Sequence, residues 1–102
     1  MIPQAIHGNP VRLYAEIDPP RFPRGYPGDG DLDRTSLFVI SVSDEGDAED
    51  QRYWVSCVSE TGRNMGGEMC YTLEAALDFP ASEFDLSDLT WREFIPPSNR
   101  TE

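Results

Sequence analysis

Carboxylates are the residues here whose number and spacing could do chemistry. The stretch GDGDLDR, Gly28 to Arg34, sets Asp29, Asp31 and Asp33 at alternate positions, and DEGDAED packs Asp44, Glu45, Asp47, Glu49 and Asp50 into seven residues. Such runs can bind a metal, move protons, or hold a cation. A calcium loop of the EF-hand type needs glycine at its sixth position, where the chain turns sharply, and a bidentate glutamate at its twelfth. Counted from Asp29 those positions are Arg34 and Ile40, and the flanks are a proline-rich coil and a strand pattern in place of two helices. No metal or other cofactor is therefore expected, with a loop-built calcium module kept as a lesser alternative. Acid–base catalysis needs two carboxylates set apart by burial or spacing, and no pair among the 19 acidic residues is singled out in that way.

The remaining reactive types are few. Two cysteines, Cys57 and Cys70, and one histidine, His7, cannot supply four zinc ligands at paired spacing. A nucleophilic cysteine or serine would need a base in reach, and His7 lies in the N-terminal stretch. No phosphate-cradling glycine loop followed by lysine is present, because GYPGDG has the wrong offsets and the chain has no lysine at all. The expectation is a non-enzymatic protein. Cys57 and Cys70 stand about equally far from the turn at Arg63-Asn64, so a cross-strand disulfide is conceivable, and two buried thiols are the favoured reading.

That leaves the cation-binding use. The 19 acidic residues oppose 8 basic ones, a net charge of −11. A surface of this sign repels nucleic acid and anionic membranes, because phosphate is held by arginine and lysine. It speeds encounter with a basic protein. In an extended chain alternate side chains point the same way about 6.8 Å apart, and duplex phosphates advance about 3.4 Å along each strand. The row Asp29, Asp31, Asp33 thus matches roughly every second phosphate, and the Asp44 to Asp50 run, with Glu83, Asp85, Asp88 and Glu93, could extend it. Tyr26 and Tyr53, with Tyr14, are the candidate apolar anchors, whereas Trp54 and Trp91 read as packing residues in a core this small.

These residues must be carried by a chain of 102 residues, 38% hydrophobic, which is one domain with one small core. It holds no apolar run of the ~20 residues a membrane span needs. The start, MIPQAIHGNP, lacks the basic and apolar regions of a secretory signal, so the expected compartment is the cytoplasm. VRLYAEI (11–17) alternates as a half-buried strand, stopped by Asp18-Pro19-Pro20. From 18 to 34 the density of proline and glycine predicts a long loop without regular structure. TSLFVISVS (35–43) is a central strand, RYWVSCVS (52–59) another, and EMCY (68–71) a return strand after the turn ETGRNMGG. TLEAALDF predicts a short helix capped by Thr72 and ended by Pro80, and DLSDLTWREF a second helix capped by Asp85. The fold class is α+β: an antiparallel meander of about four strands with one or two short C-terminal helices on one face.

The segment DLSDLTWREF, Asp85 to Phe94, resembles the closing segment of some bacterial toxin immunity proteins, in which a short helix with an alanine-rich turn precedes a leucine-threonine-tryptophan tail. That resemblance implies a small α+β protein that binds and blocks a toxin, often one that attacks nucleic acids. Charge and resemblance converge on an acidic stoichiometric inhibitor of a basic nucleic-acid-processing protein such as a nuclease, a deaminase or a CRISPR effector. Its forms would be a toxin immunity protein or a phage anti-defence protein, an anti-CRISPR acting by nucleic-acid mimicry among them. The rival reading is a structural or adaptor module whose acidity only keeps it in solution.

Overall fold

A computed structural model describes residues 2–26, 33–43, 51–84, 86 and 89–95. The sheet is built around β3 (Thr35–Ser43), whose residues 37–42 are buried on both faces, as a run of β-branched and apolar side chains requires. β2 (Asn9–Arg21) pairs antiparallel with one edge of β3 and β4 (Arg52–Ser59) with the other, and β5 (Asn64–Cys70) pairs outside β4. The outer edge of β2 holds two short strands. β1 (Ala5–Ile6) folds back on Asn9 and Pro10, and β6 (Arg92–Glu93) pairs with Leu13 and Tyr14. The α+β expectation holds in its coarse form, an antiparallel sheet with a helix on one face. Six strands and one helix, α1 (Leu73–Phe84), stand among the described residues, where about four strands and one or two helices were expected.

The two faces of the sheet carry separate parts of the core. Phe38, Ile40, Val55 and Cys70 are covered by Ala76 and Phe84 of α1, with Leu86 and Trp91. Phe38 and Phe84 meet edge to face, with ring centroids 5.0 Å apart, a favoured aromatic geometry. On the opposite face Val11, Leu37, Val39 and Val58 are covered by Ile6, with Ile2, Tyr14 and Phe94.

Four local expectations are corrected, each for a physical reason. Asp18-Pro19-Pro20 does not stop β2, which stays extended to Arg21. What the prolines interrupt is the ladder. Pairing leaves off at Glu16↔Leu37 and resumes at Arg21↔Thr35, because a proline has no N–H to give. Pro80 does not end α1, which runs on to Phe84. A proline inside a helix costs about 3 kcal/mol in isolation. Here Pro80 and Phe84 are both buried, and Arg24 satisfies the last turn by donating from its guanidinium to the Ser82 carbonyl at 3.1 Å and from its N–H to the Glu83 carbonyl at 2.7 Å. The start of the helix follows expectation: the Thr72 hydroxyl accepts from the Ala75 N–H at 3.1 Å.

The second helix is absent where the chain is described. Leu86 and residues 89–91 are not helical, and Arg92–Glu93 form β6. Trp91 packs toward the α1 side of the sheet and Phe94 toward the other. Residues three apart share a face on a helix and lie on opposite faces of an extended chain, so the two aromatic contacts select the strand. Finally, β5 begins at Asn64, well before the expected EMCY. Two glycines make this possible. Gly66 has φ +90° at a bulge opposite β4, with its N–H donating to the Asn64 side chain at 2.9 Å. A side chain on Gly67 would run into the Val55 carbonyl oxygen. The glycines belong to the strand, and the turn proper is 60–63.

Candidate partner-binding surface

The two acidic runs leave β3 from opposite ends. Asp33 and Arg34 lead into Thr35, and Ser43 leads out toward 44–50. A nine-residue strand separates these points by about 30 Å. Asp29 and Asp31, and Asp44, Glu45, Asp47, Glu49 and Asp50, lie outside the described residues; Asp33 is described and half-buried. The tyrosine anchors are divided in the same way. Tyr26 stands on the Asp33 side, half-buried and stacked on Phe22 with centroids 5.1 Å apart. Tyr53 stands near Ser43, opposite Val42 and Cys70, where it packs against the core and donates its hydroxyl proton to the Gln51 side-chain oxygen at 3.2 Å. The structure therefore brings no described residue of one run together with the other.

Charge is partitioned just as sharply. The six strands and α1 hold seven of the nineteen acidic residues and four of the eight arginines, a net charge of −3. The connections and chain ends hold the other twelve acids and four arginines, a net charge of −8, of which the five acids of 44–50, with no arginine among them, supply −5. Net acidity thus belongs mainly to the connections.

At the Asp33 end the framework is tightly organised. Arg34 donates from Nε to one Glu60 carboxylate oxygen at 2.7 Å and from its terminal nitrogen to the other at 3.1 Å, a two-pronged pair. The turn carrying Glu60 is gathered on Ser59, whose buried hydroxyl accepts from the N–H groups of Thr61 at 3.2 Å and Arg63 at 2.9 Å. At the Ser43 end, Arg52 lies over the ring of Tyr71, 4.7 Å from its centroid. Tyr71 is 67% exposed, the most open large apolar side chain described, and Leu73 beside it is 37% exposed.

Sequence reasoning passed over Tyr71 as a surface aromatic, and also Glu16, Asp18 and Glu60. For Glu16 and Asp18 a signal was available. They stand at alternate positions of an extended stretch, the same spacing that marks Asp29 to Asp33, but Asp18-Pro19-Pro20 reads as the end of the element.

The cysteines are free thiols. Register explains why they do not meet: Cys70 lies opposite Tyr53, whereas Cys57 lies opposite Phe38 and beside the β5 bulge. Burial pushes the Cys57 thiol up to about 11, with the Thr35 hydroxyl opposing and the Glu83 carboxylate reinforcing the shift. Cys70 is raised as well, by burial first and Glu68 second. Thr35 Oγ1 is itself buried and makes no hydrogen bond of good geometry among the described residues, so its influence on Cys57 is that of a nearby hydroxyl. Thiols held neutral are weak nucleophiles and poor metal ligands. Among the described residues no group of three or more acidic, histidine or cysteine side chains is placed to hold a metal ion. No helix there is long and apolar enough to cross a membrane.

No family model, curated protein or solved structure matches the chain.

Proposed function

We propose that this protein is a stoichiometric inhibitor that binds a basic surface on a nucleic-acid-processing protein and blocks it without catalysis. The observation that carries the proposal is the charge partition: the strands and α1 carry a net charge of −3, and the connections and chain ends carry −8, with five acids and no arginine in 44–50. Acidity needed only for solubility has no reason to gather in a row of alternate aspartates at 29–33 and in an arginine-free connection at 44–50. A nuclease, a deaminase or a CRISPR effector presents the arginines and lysines that hold phosphate, and rows of carboxylate can occupy them instead. Charges at the rim of such a contact speed association, and pairs buried within it slow release. The resemblance of the segment Asp85 to Phe94, with its Leu89-Thr90-Trp91 tail, supports the toxin-immunity form of this reading. A phage anti-defence protein is the other form.

The test begins with capture of partners from the source cells, with and without phage challenge, and identification by mass spectrometry. The captured protein is then titrated against the purified chain. Stoichiometric binding that weakens steeply between low and moderate salt, with loss of the partner's nucleic-acid binding, is expected. An adaptor would bind with little dependence on salt and leave nucleic acid in place.

A further inference from the structure

β2 and β3 part company between Glu16 and Arg21, and the space they leave is a groove of about 530 Å³ on the face of the sheet away from α1. Its floor includes the buried apolar side chains Leu37 and Val58. One wall is β2 with Glu16 and Asp18, both exposed, and the other is the 60–63 turn with Glu60. Glu60 is already neutralised by Arg34. Glu16 and Asp18 have no ion-pair partner within 4 Å among the described residues, although both also line a second hollow that they share with Arg21 and Arg92. The volume falls within the range of small-ligand pockets, roughly 300–1,000 Å³, and is more than one side chain fills.

We infer that this groove is a docking site for a short arginine-containing segment of a protein partner. The aliphatic stem of an arginine lies well on an apolar floor while its head stays at a polar rim, and the planar guanidinium suits two carboxylates at alternate strand positions. The Arg34–Glu60 pair shows the same chemistry within the chain. Complementarity of charge selects the occupant: an anionic ligand would face Glu16 and Asp18, and a purely apolar one would leave them beside a desolvated surface. The wall opposite is ready before binding, because Ser59 fixes the turn and the Glu60 N–H donates to the Arg34 carbonyl at 3.2 Å. The inference rests on the reading that the partner is a basic protein and adds to it a surface that the two acidic runs do not include.

The probe is the tetrapeptide acetyl-Gly-Arg-Arg-Gly-amide, titrated into the isotope-labelled full chain and followed by amide shifts, beside the same peptide with citrulline for arginine. Saturable shifts centred on Glu16, Asp18, Leu37, Ser59 and Thr61 are expected, with the citrulline peptide about tenfold weaker. The Glu16→Gln, Asp18→Asn double variant should keep its dispersed spectrum and bind the arginine peptide about tenfold more weakly. Equal binding of both peptides, shifts confined to other regions, or undiminished binding by the double variant overturns the groove. A partner that is salt-sensitive and lost by Asp29→Asn, Asp31→Asn, Asp33→Asn, but indifferent to the Glu16 and Asp18 changes, overturns the groove and leaves the inhibitor reading standing.

Discussion

One face of the sheet is closed by a twelve-residue helix and the other by pieces. Under α1, Phe38, Ile40 and Val55 are sealed by Ala76, Pro80 and Phe84, contributed at helical spacing from a single element tied at both ends, to Thr72 and to Arg24. Over Leu37, Val39 and Val58 the cover is Ile6 of a two-residue strand, with Ile2 and Phe94 from the two terminal regions. A helix supplies a continuous apolar stripe. Isolated side chains supply patches, and where they run out beside Asp18-Pro19-Pro20 the groove opens. A groove opens where local chemistry forbids a complete ladder or a complete cover.

The comparison can be broken most strongly through packing. Phe84→Ala should cost about 3–5 kcal/mol in urea unfolding, whereas Ile6→Ala should cost about 2–3 kcal/mol, at the low end for a buried aliphatic residue, because its short strand can adjust. Equal losses would mean that the two covers are equally integral. Next is Gly67→Ala, which pushes a methyl group into the Val55 carbonyl and should cost about 3 kcal/mol. Gly62→Ala meets no neighbour and bears only the strain of its positive φ, about 1–2 kcal/mol. A reversed order of the two glycines would contradict the β5 register.

The helix-covered face also has a pH signature. Cys57 keeps its proton to about 11 in the folded chain against an ordinary value of 9.0. Above the ordinary value the unfolded chain ionises first, so the stabilising preference for the thiol is complete below about pH 9 and is lost as pH rises toward 11. Stability should fall over that window by an amount on the order of 2 kcal/mol, and Cys57→Ala should flatten the slope. Alkylation of Cys57 at pH 8 should be slow until the chain unfolds. An unchanged alkaline limb in Cys57→Ala would assign the loss to other groups.

The smallest effects belong to the groove. Arg34→Ala removes an exposed ion pair and should change stability by less than about 1 kcal/mol. Glu16→Gln with Asp18→Asn should leave stability within about 0.5 kcal/mol. A large loss of stability in either variant would give these charges a structural role in place of the binding role argued above.

Much of the framework was legible because burial imposes simple periods. β3 reads as central from Leu37-Phe38-Val39-Ile40, RYWVSCVS reads as the next strand, and Thr72 marks the start of α1. What was hidden depends on partners distant in sequence. Pro80 is tolerated because Arg24 caps the helix 58 residues away, and the tail becomes β6 because Leu13 and Tyr14 offer a free edge. The site was legible in part: the acidic runs and their places at opposite ends of β3 are visible in the sequence, but that Glu16 and Asp18 rim a groove is a consequence of register.

The central claim is that carboxylates of the connections occupy a partner's phosphate-binding surface. The most direct measurement is a competition in which the captured partner, loaded with a fluorescent nucleic acid, is titrated with this protein and with its Asp29, Asp31, Asp33 to Asn variant at two salt concentrations. Release at one equivalent, weakened by salt and largely lost in the variant, is the predicted result. A ternary complex in which the nucleic acid stays bound, or equal release by the variant, would contradict it.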